Sequence, residues 1–247
     1  MADLIEEIDD NYARFVAAWP KAIYANVESQ KEKNALKLSY RRIAALNALK
    51  VDFIQDVYPD GSANFFYEAH NDALTSHVNA SFCAWRPALQ ALRSVLENTL
   101  AFLYYRDHPV EFELWKRQKH RIASSELRTY IEGHPVVADS ALKFDLVEVI
   151  KSEYRTLSFA VHASHPEFRM TDAKGSIQLW KPDDASLGKW SSREKRVIEV
   201  CTLLVVLLDQ EHFVGAQRSS LRKVLGQVMS KSLQDDLLAR CSVRIGK

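Results

Sequence analysis

The chain has 247 residues, 47% of them hydrophobic and 26% charged, with 33 basic against 32 acidic side chains. That apolar share excludes an intrinsically disordered chain, and 7 Gly with 7 Pro exclude collagen-like and low-complexity sequences and disfavour a turn-rich all-β fold. Nearly cancelled charge supplies no global attraction to nucleic acid, so a phosphate-bearing partner has to be held by a local patch.

In chain order, Leu4, Ile5, Ile8, Tyr12, Phe15, Val16 and Trp19 recur at the spacing of one helical face, predicting a first helix over 3–19 that Pro20 ends. Residues 21–58 keep that spacing, as one long helix or two with a break near 30–34, until Tyr58-Pro59-Asp60-Gly61 forces a turn. Helices are expected over 63–78, over 87–105 with Pro87 in the first turn, over 110–118, and over 124–131 with Ser124 as its cap. A helix of about six turns covers 140–163, helix resumes over 192–212, and a last amphipathic segment spans 221–238. Between them the helical period lapses, and the stretches 167–170 and 176–180 around Asp172-Ala173-Lys174-Gly175 read as a β-hairpin. No repeat of fixed period, coiled-coil heptad or linker is evident. The expected fold is all-α, a multi-helix bundle with a small β-hairpin insertion. It forms one helical domain over 1–247, with a core over 87–166, the insertion over 167–190 and C-terminal helices over 191–247.

Five acids and no base in the first ten residues reverse the charge of a signal peptide. Cys83, Cys201 and Cys241 are scattered, odd in number and without a CxxC pair, which fits reduced thiols in a cytoplasmic chain and neither a disulfide framework nor a zinc site. The longest apolar run, 197–208, is too short for a membrane span and reads as a buried helix. No membrane partner is expected.

One segment carries a chemical pattern. In Glu153-Tyr154-Arg155-Thr156-Leu157-Ser158-Phe159-Ala160-Val161-His162, seven helical steps of ~100° bring Arg155 and His162 to nearly the same face about two turns apart, with Ser158 between them. An imidazole can take a proton from a ribose 2′-hydroxyl near neutral pH while a guanidinium holds the scissile phosphate, a pair that suffices for RNA cleavage without metal. The bland alternative is a mostly core segment through Tyr154, Leu157, Phe159 and Val161, with His162 favourable at a helix C-terminus.

Arginine, six residues, then histidine late on a long helix of an all-α domain resembles the HEPN superfamily, whose pattern is Arg, four to six residues, and His. The resemblance covers 87–166, with Arg93, Glu97 and Tyr104 on the helix that would pack against the motif helix; Thr156 stands where many members carry Asn, Asp or His. It implies a homodimer whose two motifs face one cleft and a metal-independent endoribonuclease of a bacterial defence or toxin type. His162 would then be the acid/base and Arg155 the phosphate ligand, with Tyr154, Ser158, Arg93 and Glu97 in support. Some relatives are non-catalytic binding modules.

The run Lys116, Arg117, Lys119 and Arg121 beside Trp115 suits a phosphate backbone with a stacked base, or is a solvated helix face. Arg218, Arg222 and Lys223, and Lys31, Lys33, Lys37, Arg41 and Arg42, carry the same two readings. Arg93 and Glu97, four apart, form an ordinary intrahelical pair or, if buried, orient Arg155. His165 follows His162 at a metal-ligand spacing, but no thiolate or carboxylate completes a tetrahedral set, so no metal and no cofactor are expected. No GxxxxGK[ST], GxGxxG, HExxH or GxSxG occurs. The rival from another class is a non-catalytic helical interaction or regulatory module with a protein partner.

Overall fold

The structure, a computed structural model, describes all residues except 1, 59–60, 140–142, 172–179, 216 and 247, and side chains except also those of 2–3 and 143–145. Its helices in chain order are α1 (Ala2–Gln30), α2 (Asn34–Leu49), α3 (Gln55–Val57), α4 (Ala63–Ser81), α5 (Trp85–Asp107), α6 (Pro109–Lys116), α7 (Ser124–Gly133), α8 (Pro135–Ala138), α9 (Lys143–His162), α10 (Asp184–Leu208), α11 (Ser219–Leu225) and α12 (Lys231–Cys241). A π-helical turn over Lys50–Ile54 joins α2 to α3.

α5 is the central rod. The short turn after Ser81 folds it back antiparallel on α4, Ser76 Oγ donating to the Ala88 carbonyl and the Phe66 ring meeting Phe102 edge-on at 5.7 Å. α9 and α10 pack on its other sides, and α2 closes the bundle against α4 and α10. Buried between them are Leu46, Leu49, Phe53, Leu92, Leu96, Phe102, Trp190 and Leu204. From Val197 to Leu208 only Glu199 in α10 is not buried, which is the core helix that the apolar run predicts. Cys83 and Cys201 are free and buried, and burial pushes their thiols up to about 11 and about 12. Among the described residues no helix is long and apolar enough to cross a membrane.

Several boundaries differ from the sequence expectation. Pro20 does not end the first helix but lies inside α1, because every residue from Leu4 to Ala22 is exposed and water can take the carbonyl that proline leaves unbonded. α10 starts near 184 rather than 192: Asp183 caps it, its carboxylate accepting from the Ala185 and Ser186 backbone N–H groups at 3.3 and 2.9 Å. Ser124 is not the cap of α7. Ala123 takes that place, and Glu126 Oε2 accepts its N–H at 2.8 Å. The segment 221–238 is two helices, broken at Gly226, where a Cβ would run into the Gly246 backbone.

No strand occurs among the described residues. Glu167 and Phe168, expected in a hairpin strand, lie in a 3-10 turn started by Pro166, whose N-cap His165 accepts from the Glu167 N–H through Nδ1 at 3.3 Å. The remainder of the expected hairpin, Asp172 to Gly175 and on to 179, lies outside the described residues.

Three imidazoles, His70 buried and two half-buried, set a pH dependence. Desolvation lowers the affinity of His70, His77 and His134 for a proton, with Lys50 adding to the effect at His70 and Asp107 opposing it at His134. Each binds its proton more weakly folded than unfolded, so its stabilisation is complete above about pH 6.5 and is lost as the pH falls through the lowered folded value. The thermal midpoint is expected to fall from pH 7.5 to pH 5.5, and His77→Gln to flatten that slope in a calorimetric pH series.

Candidate functional site

α9 has three faces. Leu146, Val147, Ile150, Leu157 and Ala160 enter the core. Buried Glu153 is held by two guanidiniums of α10, Arg193 Nη1 at 3.1 Å and Arg196 Nε at 2.5 Å. The third face is solvent, and it carries Arg155, Phe159 and His162 at i, i+4 and i+7.

The seven helical steps from Arg155 to His162 separate them by about 10 Å along the axis with only ~20° of angular drift. Both are exposed, and neither has a hydrogen-bond or ion-pair partner among the described residues. Phe159, which the sequence assigns to the core, is instead 40% exposed between them. The His165 ring lies 6.4 Å from it at 29° and 6.2 Å from Phe168. Phe159 is the residue that sequence reasoning missed. The available signal was its place four residues after Arg155 and three before His162, which puts an aromatic on the face of a guanidinium and an imidazole.

The end of α9 is fixed from α5. Arg86 donates from Nε to the Ala160 carbonyl and from Nη2 to that of Val161, both at 2.9 Å, taking two of the acceptors that a helix C-terminus leaves open. Ala163 then turns left-handed at φ 47°, so His162 is the last helical residue. Beyond it opens a cleft of about 370 Å³ lined by Trp85, Arg86, Phe168, Arg169, Lys181 and Arg193, among others. Arg86 and Arg193 are committed to protein acceptors. Arg169 and Lys181 have no ion pair among the described residues.

The supporting residues gather one turn away. Arg93 Nη2 donates to Tyr154 Oη at 2.8 Å, Tyr154 Oη donates to Glu97 Oε1 at 3.1 Å, and Ser124 Oγ donates to the same oxygen at 2.6 Å. Arg93 Nε also meets Glu97 Oε1 at 3.1 Å, and the Arg128 guanidinium sits 3.8 Å over the Tyr154 ring. The Arg93 and Glu97 pair is therefore more than an intrahelical bridge. It joins α5, α7 and α9 through Tyr154, and it touches the neighbour of Arg155 but not Arg155 itself. Ser158 Oγ donates to the Tyr154 carbonyl at 2.7 Å and stays with its own helix. Tyr104 lies further along α5, stacked on His108 at 4.1 Å.

The basic run is not brought to this face. Trp115 packs on Phe65 and Tyr105 at 4.7 and 5.9 Å, and His120 lies 6.3 Å from Tyr104. That is the opposite end of α5 from Arg86, roughly 27 Å away at 1.5 Å per residue. Lys116 pairs with Glu113 and lies over Phe112, whereas Arg117, Lys119 and Arg121 are exposed without an ion pair among the described residues. The other two basic groups are largely spent on structure. Lys31, Lys33 and Lys37 pair with Glu28, Asp184 and Glu32, Arg42 is buried against Glu194, Arg218 meets Asp56, and Arg222 donates to the Phe213 and Arg244 carbonyls. Among the described residues no three His, Cys, Asp or Glu side chains gather to hold a metal ion.

Comparison with protein-family models, with characterised proteins and with solved structures finds no match.

Proposed function

We propose that the chain is a HEPN-like endoribonuclease that cleaves RNA without metal, with Arg155 and His162 as its catalytic pair. The observation that carries this reading is the exposed stripe on α9, a guanidinium, an aromatic ring and an imidazole on one solvent face, with neither the guanidinium nor the imidazole tied up by a protein partner among the described residues. His162 takes the proton from a ribose 2′-hydroxyl, whose oxygen attacks the adjacent phosphorus, and returns a proton to the departing 5′-oxygen. Arg155 holds the non-bridging oxygens as negative charge grows on them. A base stacks on Phe159, which sets the phosphate between the two. The strand continues into the cleft beyond His165, where Arg169 and Lys181 meet its backbone. The Tyr154, Arg93 and Glu97 network holds the helix that presents the stripe.

Incubating the purified protein with single-stranded RNA in excess chelator tests this. The expected products carry 2′,3′-cyclic phosphate and 5′-hydroxyl ends. Intact RNA, or products with 3′-hydroxyl ends, would overturn it.

A second reading is favoured by a different observation, the bare apolar stripe of α1. A non-catalytic helical interaction module would leave RNA intact and engage its partner through that helix.

A further inference from the structure

The cleft beyond His165 has a core floor and a charged rim. It holds about 370 Å³ between the start of α5, the 3-10 turn at Pro166–Phe168, residues 181–183 and the first turns of α10, within the ~300–1,000 Å³ of small-molecule sites. Leu89, Phe168 and Trp190 form the floor and are buried. Trp190 Nε1 donates to Ser76 Oγ at 3.0 Å, and Trp85 Nε1 donates to the Lys181 carbonyl at 3.2 Å, so the orientation of both indoles is preset. Around them Arg86, Arg169, Lys181, Lys189 and Arg193 face two acids, Glu167 and Asp183. Lys189 takes Glu167 at 2.8 Å, and Asp183 accepts from the Ala185 and Ser186 N–H groups that begin α10. Arg193 shares Glu153 with Arg196, and Arg86 is bonded to neutral carbonyls, which leave its charge in place. Arg169 and Lys181 have no ion pair among the described residues. Surplus positive charge beside an apolar floor concentrates the field inside the cleft.

We propose that this cleft binds a small aromatic anion, a flat body of one or two rings that carries a phosphate or a carboxylate. The ring packs against Trp85 and the floor, and the anion meets Arg169 and Lys181 through charge-assisted hydrogen bonds. Each half of the ligand answers a different part of the lining. An inorganic anion would leave Leu89, Phe168 and Trp190 facing water. A neutral ring would take water from Arg169 and Lys181 and return no acceptor. A flexible alkyl acid would give up rotational freedom that a rigid ring does not have to lose, and it stacks on neither indole. Two sources share this chemistry, a free aromatic acid and a nucleotide. Neither requires cleavage at Arg155 and His162, so the inference does not rest on that activity.

Calorimetric titration of the full chain tests this. 1-Naphthyl phosphate or 2-naphthoate is expected to bind with a Kd on the order of 100 µM or below, and the tighter of the two names the anion. Inorganic phosphate and octanoate should each bind at least about tenfold more weakly, since each lacks the ring. Adenosine monophosphate separates the sources. Binding tighter than that of the naphthyl probes assigns the cleft to a nucleotide, and weaker binding assigns it to a free aromatic acid. The double variant Arg169→Ala with Lys181→Ala should weaken the tighter probe at least about tenfold and leave the thermal midpoint unchanged, because both side chains are exposed and Trp85 is bonded to the Lys181 backbone. No binding of either naphthyl probe at ~5 mM, inorganic phosphate or octanoate binding as tightly as they do, or a double variant that binds like the parent would each overturn the proposal.

Discussion

Arg42→Ala should cost about 3–5 kcal/mol of stability, the penalty for leaving one member of a buried ion pair without its partner. Arg42 of α2 and Glu194 of α10 are 8% and 1% exposed, with Nε donating to Oε2 at 2.7 Å. Burial raises the Glu194 carboxyl above the usual carboxylate range even though Arg42 pulls it down, so the charged form is already held at a cost. Removing the guanidinium leaves that carboxylate with the Ser39 hydroxyl but no countercharge between two core helices. In a domain of this size the loss corresponds to a thermal midpoint lower by roughly 10 °C. Arg42→Met combined with Glu194→Leu should recover most of it, because apolar side chains of similar volume remove both desolvation costs together. Calorimetry of the two variants checks this. An Arg42→Ala midpoint within 2 °C of the parent would contradict the reading of the pair as a buried tie between α2 and α10.

His162→Ala should lower the RNA cleavage rate by about 10²–10⁴-fold, the usual worth of a positioned acid or base. Arg155→Ala should lower it by about 10²–10³-fold, as loss of a donor to developing charge does. Both side chains are exposed and unpartnered, so either replacement should leave helicity intact and shift stability by no more than ~0.5 kcal/mol. Phe159→Ala is expected to act differently. Losing one stacked base costs ~1–3 kcal/mol and appears mainly as a higher KM, with kcat less affected. Equal losses in kcat and KM across all three variants would instead indicate general damage to α9. Lys116→Ala, at the far end of α5, should change neither parameter by more than twofold unless RNA reaches that end.

Helical periodicity located the bundle because each core helix carries an apolar face that cannot be left in water. Where it misplaced an end, local chemistry decided. Asp183 begins α10 two turns before the periodic run does, since a cap is a hydrogen-bond property of one side chain and leaves no period. Pro20 reads as a stop and is none, because whether proline breaks a helix depends on who else could bond the freed carbonyl, here water. Leu221 to Leu238 reads as one helix and is two, because the near contact of Gly226 with Gly246 is a tertiary fact. Glu167 and Phe168 read as strand, yet Pro166 and His165 set a tighter local turn.

The candidate site was legible where spacing alone fixes a face, as for Arg155 and His162. It was not legible where exposure decides. Phe159 looks like core by residue type and stands in solvent. Tyr154 looks like core too and proves to be the hub that links Arg93, Glu97 and Arg128. The basic clusters show the same limit from the other side. Lys33 and Arg42 resemble a phosphate patch in sequence, but their acids, Asp184 and Glu194, arrive from about 150 residues further along the chain.

The central claim is that His162 moves the proton. Single-turnover cleavage of one RNA by the parent and by His162→Ala, in chelator, with and without added imidazole, tests it most directly. The expected result is a rate lowered at least 100-fold and restored in proportion to imidazole, which the exposed position lets in; a His162→Ala protein that cuts at the parent rate would contradict it.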